Sequence, residues 1–152
     1  MLGTTYEGQN CSAARALEFV GERWSLLILR DALFRGMTRF SEFERSLGVA
    51  PNVLAKRLDL FVKSGLLEQT RAVSDDSLHY RPTPKGLAFK PVIMALTAWG
   101  DRWAAPEGPP VHFEHQGCGG RLTLRSHCSQ CRDMPTIPEI LAVPTKHRRR
   151  SS

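Results

Sequence analysis

The chain has 152 residues, 41% hydrophobic and 24% charged, and carries 21 Lys and Arg against 15 Asp and Glu for a formal net charge of +6. That length fits one domain of ordinary size plus a small appendage and excludes two full catalytic domains, and the balanced composition excludes a disordered or fibrous chain. No apolar run approaches the ~18 to 20 residues of a membrane span, and Met1 to Gln9 lacks the basic and apolar parts of a secretory leader, so the expectation is a soluble cytoplasmic protein.

From Ser12 to Leu33 the apolar residues Leu17, Val20, Trp24, Leu27, Ile28 and Leu33 recur at spacings of three and four. This predicts helix, with Gly21 breaking it into two pieces. Phe40 to Gly48 predicts a short helix: Ser41 and Glu44 have capping-box spacing, Phe43 and Leu47 share a face, and Gly48 can end it. Val49 and Ala50 are followed by Pro51, suited to a first helical position, and Leu54, Leu58, Phe61 and Val62 then recur at helical spacing as far as Ser64-Gly65. Two short helices joined by a glycine-containing turn are the helix-turn-helix arrangement, whose second helix enters the DNA major groove.

The charge pattern agrees with this reading. Residues 35–90 hold ten basic and six acidic residues, an excess placed where phosphate contact needs it. With Leu54, Leu58 and Phe61 turned inward, Asn52, Lys56 and Lys63 fall on the opposite helix face and Arg57 at its flank. Asn52 and Lys56, near the helix start, suit base edges, and Arg57 and Lys63 suit phosphates; Ser41 and Val53 complete the candidate contacts. The plainer alternative is that these side chains are simply a solvated face.

Leu66 to Val73 and Leu78 to Arg81 are strand-like and flank the polar turn Ser74-Asp75-Asp76-Ser77, which predicts a hairpin, or wing, carrying Arg71, His79 and Arg81 beside the second helix. Thr83-Pro84 then reads as a cap and first turn of a helix running through Leu87, Val92, Leu96, Trp99 and Trp103, with a kink expected at Pro91. Leu17, Trp24, Leu96, Trp99 and Trp103 are candidate contacts between two copies of the chain, the alternative being that the tryptophans pack on the N-terminal helices of the same chain.

The residues from Cys11 to Trp103 together resemble the HxlR-type winged helix-turn-helix regulators of bacteria. The likeness rests on Cys11, GERWSLLILRDAL (Gly21 to Leu33), RFSEFERSLG (Arg39 to Gly48), VLAKRLDLFVKSGLL (Val53 to Leu67), HYRPTPKG (His79 to Gly86) and ALTAWGDRW (Ala95 to Trp103). It implies a DNA-binding homodimer formed largely through the terminal helices, controlling a nearby promoter. It also implies that Cys11 is a candidate redox sensor, a role that a helix start and Arg15 one turn on would favour; a small buried hydrophobe is the alternative.

Beyond the winged helix lie three more cysteines. His115-x2-Cys118 and Cys128-x2-Cys131 have the spacing of two paired-ligand knuckles, and Arg121 to Arg125 alternates like a connecting strand. Three thiolates and one imidazole satisfy tetrahedral Zn²⁺, with His112 and His127 as rival fourth ligands. Such a site is closed and structural; an unmetallated hairpin with a free or disulfide-bonded CxxC is the alternative. The final segment, Lys146, His147 and Arg148 to Arg150, reads as a basic disordered tail.

The expected fold is therefore mainly α with a β-hairpin wing, plus a C-terminal zinc-ribbon-like β-hairpin. The expected layout is a DNA-binding and dimerisation domain over residues 11–104, an extension over 105–145 and a tail over 146–152. The expected function is a sequence-specific homodimeric regulator on a pseudo-palindromic operator, repression being the leading sense, bound to double-stranded DNA and answering to an unassigned small-molecule or redox inducer. The competing function is a winged-helix protein-interaction module with a structural zinc hairpin. No nucleophile elbow, phosphate loop, HExxH or paired carboxylate cluster appears, so an enzyme is not expected.

Overall fold

A computed structural model describes residues 5, 6, 8–74 and 76–145; Asp75 and the expected basic tail from Lys146 onward lie outside the described residues. The helices are α1 (Ser12–Val20), α2 (Ser25–Phe34), α3 (Phe40–Leu47), α4 (Pro51–Lys63), α5 (Pro84–Leu87) and α6 (Lys90–Trp103), with strands β1 (Leu67–Arg71) and β2 (Leu78–Pro82) between α4 and α5 and a 3-10 turn at Ile137–Glu139. The described residues divide between two compact units, one ending at Pro110 and the other beginning at Val111. No helix among them is long and apolar enough to cross a membrane.

The core of the first unit gathers one face from each element. Ile28, Leu29, Phe43, Leu54, Leu58 and Phe61 are fully buried, joined by Val20, Leu33, Leu66, Leu67 and Ile93. Each such aliphatic or aromatic side chain contributes ~1.5 to 3 kcal/mol by leaving water, so the helical spacing read from the sequence is what locks α2, α3 and α4 together. The α2 helix is central, packing against α1, α3, α6 and both the wing and α5.

Helix boundaries follow local chemistry. Gly48 ends α3 in the left-handed region at φ 60°, which a side chain resists, and Pro51 opens α4. The cap of α3 differs from the expected Ser41–Glu44 box. The helix begins at Phe40, but its cap lies two residues earlier than expected: Arg39 is the N-cap, and Glu42 reaches back to accept the backbone N–H of Thr38 at 2.8 Å and of Arg39 at 2.9 Å. The helix expected to run from Pro84 to Trp103 with a kink is instead two helices, because Pro91, lacking an N–H, sits in the first turn of α6 after a break at Ala88-Phe89.

The wing is an antiparallel pair in the register Leu67↔Pro82, Gln69↔Tyr80 and Arg71↔Leu78. It is tied at its base, where Thr83 Oγ1 accepts the N–H of Gly86 at 3.1 Å and donates to the carbonyl of Gly65. In the second unit the run Arg121 to Arg125 is not a strand; pairing there is limited to an isolated bridge between Glu114 and Arg121. Its side chains have no buried layer to pack on, so the alternation in the sequence finds no sheet to join.

Candidate nucleic-acid interface

The first helix of the helix-turn-helix, α3, is tied to α2 by a buried carboxylate. Asp31 of α2 is wholly inaccessible, and its oxygens accept Ser46 Oγ of α3 at 2.7 Å and Arg30 Nε at 2.8 Å, with Arg35 Nη1 at 3.6 Å. Sequence reading missed this residue, because a single acid within an apolar helix gives no periodic signal. The anchor supports α3 from below and leaves α4 to project its own polar face.

On α4, Leu54, Leu58 and Phe61 are fully buried, and Asn52 and Lys56 are exposed on the other side. These two are the expected base-reading pair, and the structure presents both to solvent one turn apart. Val53 is half-buried, and Ser41 is exposed in the first turn of α3. Lys63 is also exposed but bridges Asp59 at 2.7 Å, which offsets its charge. Arg57 departs further from a phosphate-facing placement: its Nε lies 3.8 Å from Glu22 Oε2 and makes no hydrogen bond, and its side chain is only 23% exposed. The periodicity placed Arg57 at the flank of the helix, but the turn between α1 and α2, which draws it inward, comes from far away in sequence.

The wing presents two kinds of residue. Arg81 is exposed, and Arg71 is exposed while holding the tip by contacts of 3.3 Å to the carbonyl oxygen and the carboxylate of Asp76. His79 is half-buried and structural in its contacts: Nδ1 lies 2.8 Å from Thr38 Oγ1 and Nε2 lies 2.9 Å from Ser77 Oγ. With the N–H of Tyr80 donating to the carbonyl of Thr38 at 2.7 Å, β2 is stitched to the link before α3. The wing is therefore tied by hydrogen bonds to the segment that leads into α3.

Of the candidate contacts between chains, Trp99 and Trp103 are 62% and 64% exposed, Leu96 and Leu17 are about half exposed, and Trp24 is half-buried. Packing of the two α6 tryptophans against the same chain is thus not what the structure shows. Cys11 is exposed at the residue before α1, and its carbonyl accepts the N–H of Arg15 at 3.1 Å.

In the second unit His115 Nδ1 lies 3.3 Å from Cys118 Sγ, and the sulfur of Cys128 accepts hydrogen bonds from the N–H groups of Cys131 and Gln130. Those donors, with the Cys131 thiol, pull the Cys128 thiol below its ordinary pKa, the Cys131 N–H contributing most. His112 is engaged elsewhere, its Nε2 2.6 Å from Glu114 Oε1. Each expected ligand pair is brought together, but among the described residues no three His, Cys, Asp or Glu side chains are grouped so as to hold a metal ion.

Comparison with known proteins extends the geometric reading. The HxlR-like helix-turn-helix family model matches residues 19–108. An uncharacterised HTH-type transcriptional regulator of Mycobacterium tuberculosis is 39% identical over 94% of this chain and 90% of its own. The crystal structure of PA1607, described as a candidate transcription factor, superposes with a TM-score of 0.81 at 33% identity, covering 92% of this chain and 99% of that one. A second candidate transcription factor, PA1374 from Pseudomonas aeruginosa, gives a TM-score of 0.61 at 39% identity over 90% and 94% of the two chains. With a helix-turn-helix braced by a buried carboxylate, a wing sewn to its side and relatives matched along nearly its whole length, this chain belongs to the HxlR-like helix-turn-helix family.

Proposed function

We propose that the protein is a sequence-reading transcriptional regulator that binds a pseudo-palindromic operator as a homodimer, with repression as its leading sense. The observation that carries this reading is the presentation of Asn52 and Lys56 on the open face of α4 while the opposite face is wholly buried. Amide and ammonium groups on the first turns of a recognition helix suit base edges in the major groove, and Arg81 on the adjoining wing suits a phosphate.

The homodimer rests on α6. Val92, Leu96, Trp99 and Trp103 recur at spacings of three and four and are all about half exposed or more, so the helix carries an apolar stripe outward. A second copy of the chain would cover that stripe and set two recognition helices on successive half-sites. The same stripe favours the alternative of a protein-interaction module, for which a different protein is the occupant.

The experiment is competition binding of the purified full chain to DNA from its own upstream region against scrambled duplex at near-physiological salt. Preference for the upstream DNA with a two-fold symmetric footprint is the expected result. Equal binding to both duplexes, or none, would overturn operator recognition and favour the interaction module.

A further inference from the structure

We propose that His115, Cys118, Cys128 and Cys131 close around one tetrahedral zinc ion, which serves as the structural centre of the C-terminal unit. The reading is independent of DNA recognition and stands on the backbone of residues 111–145.

The first observation is what the unit lacks. No described side chain from Val111 to Thr145 is buried, and Leu122, Leu124, Met134, Ile137, Leu141 and Val143 are all exposed. A segment this short without an apolar core needs a staple, either a disulfide or a metal. All its cysteines are free thiols.

The second observation is a repeat in the backbone. In the first knuckle the N–H groups of Cys118 and Gly119 return to the carbonyl of His115 at 3.2 and 2.7 Å, and Gly119 has φ +70°. In the second knuckle the N–H of Arg132 returns to the carbonyl of Cys128 at 2.9 Å, and Arg132 has φ +64°. Two candidate ligand pairs of the same spacing thus end in the same left-handed turn. At Arg132 that conformation opposes the preference of a side chain.

The third observation is how the donor atoms are presented. The 3.3 Å between His115 Nδ1 and Cys118 Sγ is close to the ~3.6 Å edge that Zn–N and Zn–S bonds of ordinary length subtend at a tetrahedral angle. The backbone N–H groups of Cys131 and Gln130 face the sulfur of Cys128, the outer hydrogen bonding that orients a metal ligand. His112 is committed to Glu114, which leaves His115 as the imidazole beside a thiol.

No three of these donors are grouped among the described residues, and the ion would draw the two pairs together, as metal binding and folding are coupled in small zinc units. Three thiols each release a proton to water as the metal–sulfur bonds form, and no oxidant is required. Three soft sulfurs and one nitrogen select zinc over calcium or magnesium, and four protein ligands leave no position for an activated water.

The test uses the full chain, reduced, stripped of metal and titrated with Co²⁺ and then Zn²⁺. The expected result is one cobalt per chain with the intense visible bands of tetrahedral cobalt and thiolate charge-transfer absorption, both abolished by an equivalent of zinc. Cys118→Ser and Cys128→Ser should each weaken cobalt binding by more than about tenfold, His115→Ala should alter the bands, and His127→Ala should leave them unchanged. Zinc loading should also protect residues 111–145 from protease. Helical circular dichroism of each variant checks that the first unit is intact. Octahedral or absent cobalt, binding indifferent to Cys118→Ser, or a Cys128–Cys131 disulfide that persists under reduction would overturn the proposal.

Discussion

Ser46 of α3 donates its hydroxyl to the buried carboxylate of Asp31 on α2 across 2.7 Å, and this bond sets the first helix of the DNA-reading pair upon its support. The carboxylate has no water to turn to, so the helices are held by a group whose partners must all remain.

Removing that group should therefore cost more than removing one partner. Asp31→Ala leaves Arg30 without its acceptor and should lower stability by about 3 kcal/mol, and Ser46→Ala should cost about 1 kcal/mol. Urea denaturation of the two variants checks the order, and equal effects would show that the carboxylate does not organise the junction.

The proposed operator reading divides the face of α4 into readers and props. Asn52→Ala and Lys56→Ala should cost about 1 to 3 kcal/mol on the preferred operator and little on scrambled DNA, whereas Arg81→Ala should weaken all sequences alike and reduce the salt slope by about 1. Arg57→Ala should leave that slope unchanged, because its guanidinium faces Glu22. Binding isotherms at several salt concentrations separate the three classes.

Glu42 makes α3 sensitive to acid. The N–H groups of Arg39 and Thr38 hold its carboxyl below the ordinary carboxylate range, so its stabilisation is complete above the unfolded pKa and is lost as pH falls through the lower folded value. Glu42→Ala should cost about 1 kcal/mol at neutral pH, and the gap from the parent protein should close in strong acid. Urea midpoints measured across that range give the comparison, and a gap independent of pH would remove the carboxylate from the cap.

Gly86 packs at the foot of the wing, where a Cβ would fall inside contact distance of the Leu66 carbonyl oxygen. Gly86→Ala should force α5 away from Leu66, the residue that precedes β1, and cost about 1 to 3 kcal/mol. Thermal unfolding measures the loss, and an unchanged midpoint would mean that the strand yields freely.

The proposed homodimer is tested at the α6 stripe. The double variant Trp99→Ala, Trp103→Ala should sediment as a monomer and lose footprint symmetry while keeping its helical circular dichroism. A variant that remained dimeric would place the interface elsewhere.

Much of the architecture was legible because it is local. Pro51 and Gly48 mark helix ends through their own backbone preferences, and the buried faces of α2 and α4 recur with the period of the helix. Asn52 and Lys56 were placed on the open side of α4 by that period alone.

By itself, then, the sequence determined the order of helices and wing, the inward face of each and the polar face of α4, all of which follow from spacing along one element. Only the tertiary structure decided which charges are spent within the molecule. Arg57 turns to Glu22, His79 to Thr38 and Asp31 to Ser46, each partner lying 15 to 41 residues away in sequence. No periodicity encodes such distances, because a salt bridge or hydrogen bond depends on where two elements meet and not on the pattern within either.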